Sequence, residues 1–508
     1  MTFVDPQPSA IGAPQLDLPD LFEPIVASTT DGVPTLRILV GGEWQAADTG
    51  EDFEVRSPID GTLIARAQRG GKGDVERAIA AATAARTGFL EVPAAERLRI
   101  CEDAAQVMAG SRSAFQHTIT IDLGKTAASA DSEAGTTIER LDLVREEVRK
   151  IFGEYIPGDW IPGTIGKRGV VLREPLGTVA AIGPFNYPLF IPASKIIPAL
   201  AAGNTVVAKA PSDAPVALLM FARALEEAGL PAGALNVVTG PGSELGDALA
   251  SHPDISMVSF TGSSTAGRAL ARAAGPKPIH LELGGNGAGI VLSDADVEDA
   301  AAKTVAGAFK LAGQRCSGLS RILVEEAVYD EYVQRALGEA QTWTAGDPRA
   351  DGVGIGPLVN AEACETVHGL VRDALDKGAE LLAGGETDAA YHQPTVLAAV
   401  PLDADIVWEE TFGPVLTIVK VRDEDDALDV ANRSRYGLDS AVFTSDLNRA
   451  WRVAGALEVG MVTVNDAPSH GVGHFPFGGR TPDSGVGREG LGYSIDECTA
   501  LKTVVLPG

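Results

Sequence analysis

From residue 170 onward, short β-branched runs alternate with helix-length segments, and no other feature restricts the fold of this chain so tightly. The runs VVLREPLGTVAAIG, NTVVAKA, ALNVVTG and ISMVSFTGS are separated by segments predicted as helices near 192–202, 215–228, 243–251 and 264–274. Strands that are apolar along their whole length are buried on both faces, which is the condition of a parallel sheet between helical layers. The pattern therefore predicts βαβ units of the nucleotide-binding kind. A second alternation begins at PIHLELGGN (278–286) and passes through GIVLSDAD, SRILVEEA, GPVLTIVKV and SAVFTSD to MVTVND (461–466). A single core stops growing at roughly 250–300 residues, so a chain of 508 residues is read as two α/β domains.

Ahead of these repeats, RILVGGEW (37–44) and DFEVRSPIDGTLIARA (52–67) read as strands with glycine-containing turns, followed by helical periodicity over 74–118 and 127–152. Residues 1–35 are Pro-rich and carry no readable function. The ending ECTALKTVVLPG contains a strand-like run without an evident partner in its own domain, so pairing with another subunit is expected.

The start, MTFVDPQPSA, lacks the basic and apolar regions of a signal peptide. The most apolar stretch, 177–208, is broken by Pro184, Asn186, Pro188, Pro192, Lys195, Pro198 and Asn204, which a bilayer core does not tolerate. A soluble, cytoplasmic protein is expected, with no membrane partner. The four cysteines are scattered and form no CxxC pair, so neither a disulfide framework nor a metal site is expected. A formal net charge of −28 repels phosphate backbones and argues against a nucleic-acid partner. Lysine supplies only 12 of the 41 basic residues against 69 acidic ones, a balance that suits a halophilic surface, with ordinary acidity as the alternative.

Cys316, in GAFKLAGQRCSGLSR, sits between a predicted helix and the strand RILVEE, with Arg315 beside it. Backbone N–H groups and a guanidinium there would favour the thiolate. A lone cysteine is otherwise a small buried apolar residue. Glu282, in LELGGN, lies in an apolar strand where a carboxylate is costly unless used or paired, which makes it a candidate general base or a structural Glu bonded to backbone N–H groups. Asn186, in GPFNYP, falls at the C-terminal end of a predicted parallel strand, where its amide could serve an oxyanion or simply a turn.

The motifs GPFNYP, VVAKAPS, SFTGS, LELGGN, GQRC, EETFGPV and FPFGG occur in the order and spacing of the aldehyde dehydrogenase superfamily, which the chain resembles over about 35–506. EYIPGDW, NDAPSHGVGHFPFGG and SGVGREGLGYSID look most like the archaeal non-phosphorylating glyceraldehyde-3-phosphate dehydrogenases. The resemblance implies an α/β fold of two Rossmann-related parallel-sheet domains plus an oligomerisation β-hairpin. The cofactor domain would occupy 1–150 and 171–281, the catalytic domain 282–480, and the oligomerisation elements 151–170 and 481–508, the hairpin near 151–170 pairing with the tail. A homodimer or homotetramer is implied.

The resemblance also implies roles. Cys316 attacks the aldehyde carbon, the amide of Asn186 and the Cys316 N–H hold the oxyanion, and Glu282 activates water to hydrolyse the thioester. A carboxylate at 282 argues against the branch that transfers the acyl group to CoA. For the cofactor, NADP or NAD, the family places Lys209 at the adenosine ribose and Glu410 and Phe412 at the nicotinamide end. Gly262 and Ser263 open a helix whose N-terminus suits a pyrophosphate. The loop GPGSELG (240–246) is a further Gly-rich turn that cofactor contact or geometry alone would explain. Ser212 stands where NAD-preferring members often carry Glu, which predicts a preference for NADP, with the neighbouring Asp213 opposing it. For the substrate, Arg315, Tyr187 and His470 are the candidates, and glyceraldehyde 3-phosphate is the expected aldehyde. Ser469 stands where the archaeal relatives can show Arg, and His470 or Arg140 would have to compensate unless His470 is a solvated loop residue. The alternatives are an unphosphorylated aldehyde such as lactaldehyde or a semialdehyde, and a non-catalytic binding protein on this fold. A cysteine hydrolase would want a histidine at the thiol, and none of the seven lies near Cys316 in sequence.

Overall fold

In the computed structural model, which describes residues 11–507, the first alternation forms an eight-stranded sheet. Residues 1–10 and Gly508, ends of the segments assigned above to the cofactor domain and the tail, lie outside the described residues. The sheet is centred on parallel strands in the order Ile279–Glu282, Met257–Thr261, Thr178–Ile182, Thr205–Lys209, Leu235–Val238. The linking helices, Phe190–Ala202, Val216–Glu227, Gly242–Ser251 and Ser264–Ala274, keep within two residues of the spans read from the sequence. Val206 and Ala208 point into one apolar cluster and Val207 into another, which is why the strand shows no polar alternation.

Antiparallel strands close both edges. Ile38–Val40 and Glu43–Gln45 form a hairpin on one side, and Gly485–Val486 returns from the far end of the chain to pair with Ile279–Glu282 on the other. The remaining early strands, Asp52–Arg56 and Leu63–Gln68, belong to a separate four-stranded sheet. The first run of the second alternation, PIHLELGGN, gives the strand Ile279–Glu282 to the first sheet instead, where it pairs with Met257–Thr261. The remaining runs form a seven-stranded sheet in the order Glu380–Ala383, Thr395–Ala398, Val415–Val421, Arg321–Glu325, Ala288–Val291, Asp439–Phe443, Met461–Val464, over its own core. It is parallel except for the pairing of Glu380–Ala383 with Thr395–Ala398.

The tail finds a strand partner within its own chain. Thr499–Pro507 pairs antiparallel with Lys167–Pro175 of its own chain, residue for residue, and Glu154–Pro157 adds to the other side. The local pattern could not reveal a partner so distant in sequence. No helix among the described residues is long and apolar enough to cross a membrane.

Candidate active site

Parallel strands in open α/β sheets deliver ligand groups at their C-terminal ends, where loops and helix N-termini face a common crevice. The sheet obeys this rule at each strand. Asn186 follows Thr178–Ile182, Lys209 ends Thr205–Lys209, Gly262 and Ser263 follow Met257–Thr261, and Glu282 ends Ile279–Glu282. Lys209, Ser212, Gly262, Ser263, Glu410 and Phe412 all line one cavity of about 760 Å³. The loop after Leu235–Val238 reaches it as well, through Gly242, Ser243 and Gly246.

Within this cavity the Lys209 ammonium donates to the Ser212 hydroxyl at 3.0 Å, and Ser212 donates to the Gly240 carbonyl at 2.9 Å. Burial lowers Lys209 to about 8, against the opposing charge of Asp213. Ser263 caps the helix Ser264–Ala274, accepting the Ala266 N–H at 3.3 Å. The other first-turn N–H groups remain for an anion. Burial pushes Glu410 up to about 7, although it accepts the Gly285 N–H at 3.0 Å. Phe412 adopts a left-handed backbone with φ 48° and meets Phe185 edge-on at 5.9 Å. A cation, a hydroxyl, helix-start amides and a carboxyl around a cavity of ligand size suit the phosphates and riboses of a dinucleotide.

Cys316 lines this cavity and also a second one of about 310 Å³, so it stands where the two meet. The loop that brings it there is compressed. Leu311 and Ala312 hold left-handed backbone with φ 60° and 52°, a conformation that costs non-glycine residues on the order of 1–3 kcal/mol each. A Cβ at Gly285 would strike the Cys316 carbonyl oxygen, and one at Gly284 would sit 2.7 Å from Oε2 of Glu410. The Gly-Gly pair of LELGGN is therefore required by the approach of both the cysteine loop and the cofactor-side carboxyl.

The Cys316 thiol faces the Glu282 carboxyl, which is 1% exposed. Neither Glu282 oxygen has a partner of conventional hydrogen-bond geometry among the described residues, so the structural role in which backbone N–H groups hold it does not apply. Burial pushes Glu282 up, and the charge of Glu489 adds to this, while Lys195 and His470 draw it down. Burial also pushes the Cys316 thiol well up, reinforced by Glu282. This corrects the expectation of a thiolate favoured by Arg315. The Arg315 guanidinium donates instead to the Ser317 hydroxyl at 3.1 Å and the Pro468 carbonyl at 2.8 Å. A thiol held in its neutral form thus faces a buried carboxyl that could accept its proton.

Asn186 is 3% exposed, and its amide donates to the Gln314 carbonyl at 2.8 Å, which ties it to the cysteine loop. One amide N–H is so used, and the other remains for an oxyanion.

The second cavity brings together Glu282, Cys316, Tyr187, Arg315, Ser469 and His470. His470 is not a solvated loop residue. Its side chain is 12% exposed, Nε2 lies 3.1 Å from Oδ2 of Asp439, and the ring stacks on Phe477 at 4.1 Å. Arg140 does not line this cavity, because it is buried and paired with Glu147 at 2.8 Å.

Three features escaped the sequence reading. Lys125 lines the second cavity, paired with Glu133 at 2.5 Å and 3.7 Å from the centroid of the Tyr187 ring. Lys310, exposed on the same wall, has no ion pair among the described residues. Behind Glu282, buried Lys195 pairs with Glu489 at 3.2 Å, and Ser194 donates to the same carboxyl oxygen at 2.6 Å. A single charged residue in the otherwise uncharged helix Phe190–Ala202 is the signal that could have found the last of these.

The chain matches the aldehyde dehydrogenase family over residues 44–504. It is 35% identical to an NADP-dependent glyceraldehyde-3-phosphate dehydrogenase of Streptococcus equinus, over 92% of this chain and 97% of that one. It is 36% identical to a mitochondrial succinate-semialdehyde dehydrogenase of Arabidopsis thaliana, over 92% of this chain and 88% of the relative. The solved NADP-dependent glyceraldehyde-3-phosphate dehydrogenase of Bacillus halodurans C-125, complexed with NADP, superposes with a TM-score of 0.91 at 36% identity, covering 93% of this chain and 99% of that one.

Proposed function

This chain belongs to the aldehyde dehydrogenase family as an NAD(P)-dependent enzyme, and on that premise we propose that it oxidises glyceraldehyde 3-phosphate to 3-phosphoglycerate with NADP. The aldehyde enters the second cavity and meets Cys316. Glu282 takes the thiol proton as sulfur bonds to the carbonyl carbon, and the oxygen becomes an oxyanion held by the Asn186 amide and the Cys316 N–H. A nicotinamide bound in the first cavity supplies the hydride acceptor. Glu282 releases that proton, then takes one from water as the hydroxyl adds to the thioester carbon, and the acid leaves as the C–S bond breaks and Glu282 returns the proton to the sulfur. Replacing Asn186 by Ala is expected to lower kcat by roughly 10²–10³-fold, the cost of one oxyanion donor. Fluorescence titration should show cofactor affinity unchanged.

Ser212 beside Lys209 supports the choice of NADP, because a short side chain leaves room for a 2′-phosphate near the ammonium. In Ser212→Glu the preference for NADP over NAD should be lost. The charge also sets a pH dependence. Lys209, lowered to about 8, is charged below that pH and neutral above it, so KM for NADP should rise as pH climbs through that value. KM for NAD should rise less.

The observation that carries the substrate assignment is that Arg315 and Lys310 share the second cavity with Cys316. Both relatives described above are named for aldehydes that bear an anionic group. A charged hydrogen bond contributes about 1.5–3 kcal/mol, so kcat/KM for glyceraldehyde 3-phosphate should exceed that for glyceraldehyde by roughly 10–100-fold. Lys310→Ala should reduce that ratio. Equal use of the two aldehydes would sink the reading. A carboxylate-bearing semialdehyde is the second reading, favoured by the Lys125–Glu133 pairing, which leaves fewer free cations for a dianion. A larger kcat/KM for succinate semialdehyde would select it. The same reading assigns a subunit contact to the tail sheet, where Leu501 and Val505 are exposed, and to the connection between Glu154–Pro157 and Lys167–Pro175, where Trp160 and Ile165 are exposed.

A further inference from the structure

We propose that His280 and Glu497 form the outer end of a proton exit that starts at Glu282 and passes through Glu489 beside Lys195. The inference rests on the dehydrogenase reading above, in which every turnover leaves a proton on a carboxyl that is 1% exposed. That proton must reach solvent before Glu282 can act again.

His280 and Glu282 stand two residues apart in the strand Ile279–Glu282, so their side chains share one face of the sheet. Glu489 lies within electrostatic reach of both. Its Oε1 accepts from Lys195 and Ser194, whereas its Oε2 is buried without a partner among the described residues. A cavity of about 10 Å³, the size of one water, is walled by Lys195, Glu489, His280 and Glu497 together. His280 is 3% exposed, and neither ring nitrogen has a partner of hydrogen-bond geometry among the described residues. Its Nδ1 lies 2.6 Å from Oε2 of Glu497, whose side chain is 26% exposed and touches solvent.

The charged groups around the imidazole are Glu497 from the helix Tyr493–Glu497, Glu489 from the segment before it, and Lys195 from Phe190–Ala202. Ser259 of the adjacent strand and the Cys498 thiol also line it. Carboxyl, carboxylate, imidazole and carboxylate then stand in sequence from a sealed base to water. The protonated Glu282 gives its proton to the Glu489 carboxylate. Glu489 passes it to one imidazole nitrogen, the other nitrogen releases its proton to Glu497, and Glu497 releases it to water. One proton enters and one leaves, both carboxylates regain their charge, and the imidazole is left as its other tautomer, which a ring flip restores.

The test uses the full chain with His280→Gln and Glu497→Gln, melting temperatures being measured alongside. The NADPH formed in the first turnover should be unchanged in rate and amplitude. kcat should fall roughly tenfold, below the roughly 10²-fold least effect of losing a general base itself. The D2O solvent isotope effect on kcat should increase, and imidazole buffer should restore His280→Gln toward wild type. Unchanged kcat in both variants would overturn the proposal, as would equal losses in the first turnover and in kcat. If His280→Gln fails to fold, Glu497→Gln carries the same readouts. A wild-type enzyme that forms no NADPH from any aldehyde would overturn the dehydrogenase reading instead.

Discussion

Replacing Cys316 by Ala is expected to reduce aldehyde oxidation by about 10⁴-fold or more, the scale seen when a covalent nucleophile is removed. The groups that would hold the cofactor's phosphate and ribose ends, Lys209, Ser212 and Ser263, are separate from the cysteine loop. NADP binding, followed by fluorescence titration, should therefore persist. Cys316→Ser should fare little better. Burial already holds the thiol well above its usual value, and a hydroxyl is a harder group to deprotonate at the same place. An alanine variant that still forms NADPH at an appreciable rate would contradict this account.

The second large effect belongs to Glu282→Gln, for which kcat should fall by roughly 10²–10⁴-fold, the range of a general base. Its pH profile separates the base's two tasks. Glu282 has a raised pKa and works only when ionised, so wild-type kcat should fall as pH drops through that raised value. In the variant this limb should vanish. In the variant the Glu282 charge no longer opposes ionisation of the thiol, and hydroxide can take its proton at alkaline pH, so first-turnover NADPH should recover while hydrolysis stays slow and acyl-enzyme accumulates. Because an unpartnered buried carboxyl costs stability, the variant should melt no lower than wild type. A variant with full kcat and the wild-type pH limb would remove Glu282 from the mechanism.

Features set by local periodicity were readable from the sequence. The apolar runs around Val206–Ala208 and Met257–Thr261 became parallel strands because both of their faces are buried, and the helices between them followed within two residues. Strand ends then placed Asn186, Lys209, Ser263 and Glu282 at the site, since each follows or ends the C-terminal edge of a parallel strand. What escaped depends on contacts between distant segments. The tail's partner, Lys167–Pro175, is set by tertiary pairing that no local pattern records. Lys125 joins the second cavity through Glu133 and Tyr187, and Arg140 leaves it through Glu147. The thiolate expectation failed because proximity in sequence is not proximity of charge. Arg315 turns to Ser317 and Pro468, while Glu282, distant in sequence, faces the sulfur.

The central claim is that Cys316, at the junction of two cavities, carries the acyl group that Glu282 releases. It is tested most directly by mass spectrometry of Glu282→Gln quenched after one turnover with NADP and glyceraldehyde 3-phosphate at alkaline pH. The account predicts a 3-phosphoglyceroyl thioester on the peptide that contains Cys316. An unmodified Cys316 alongside NADPH formation, or an adduct on any other residue, would contradict it.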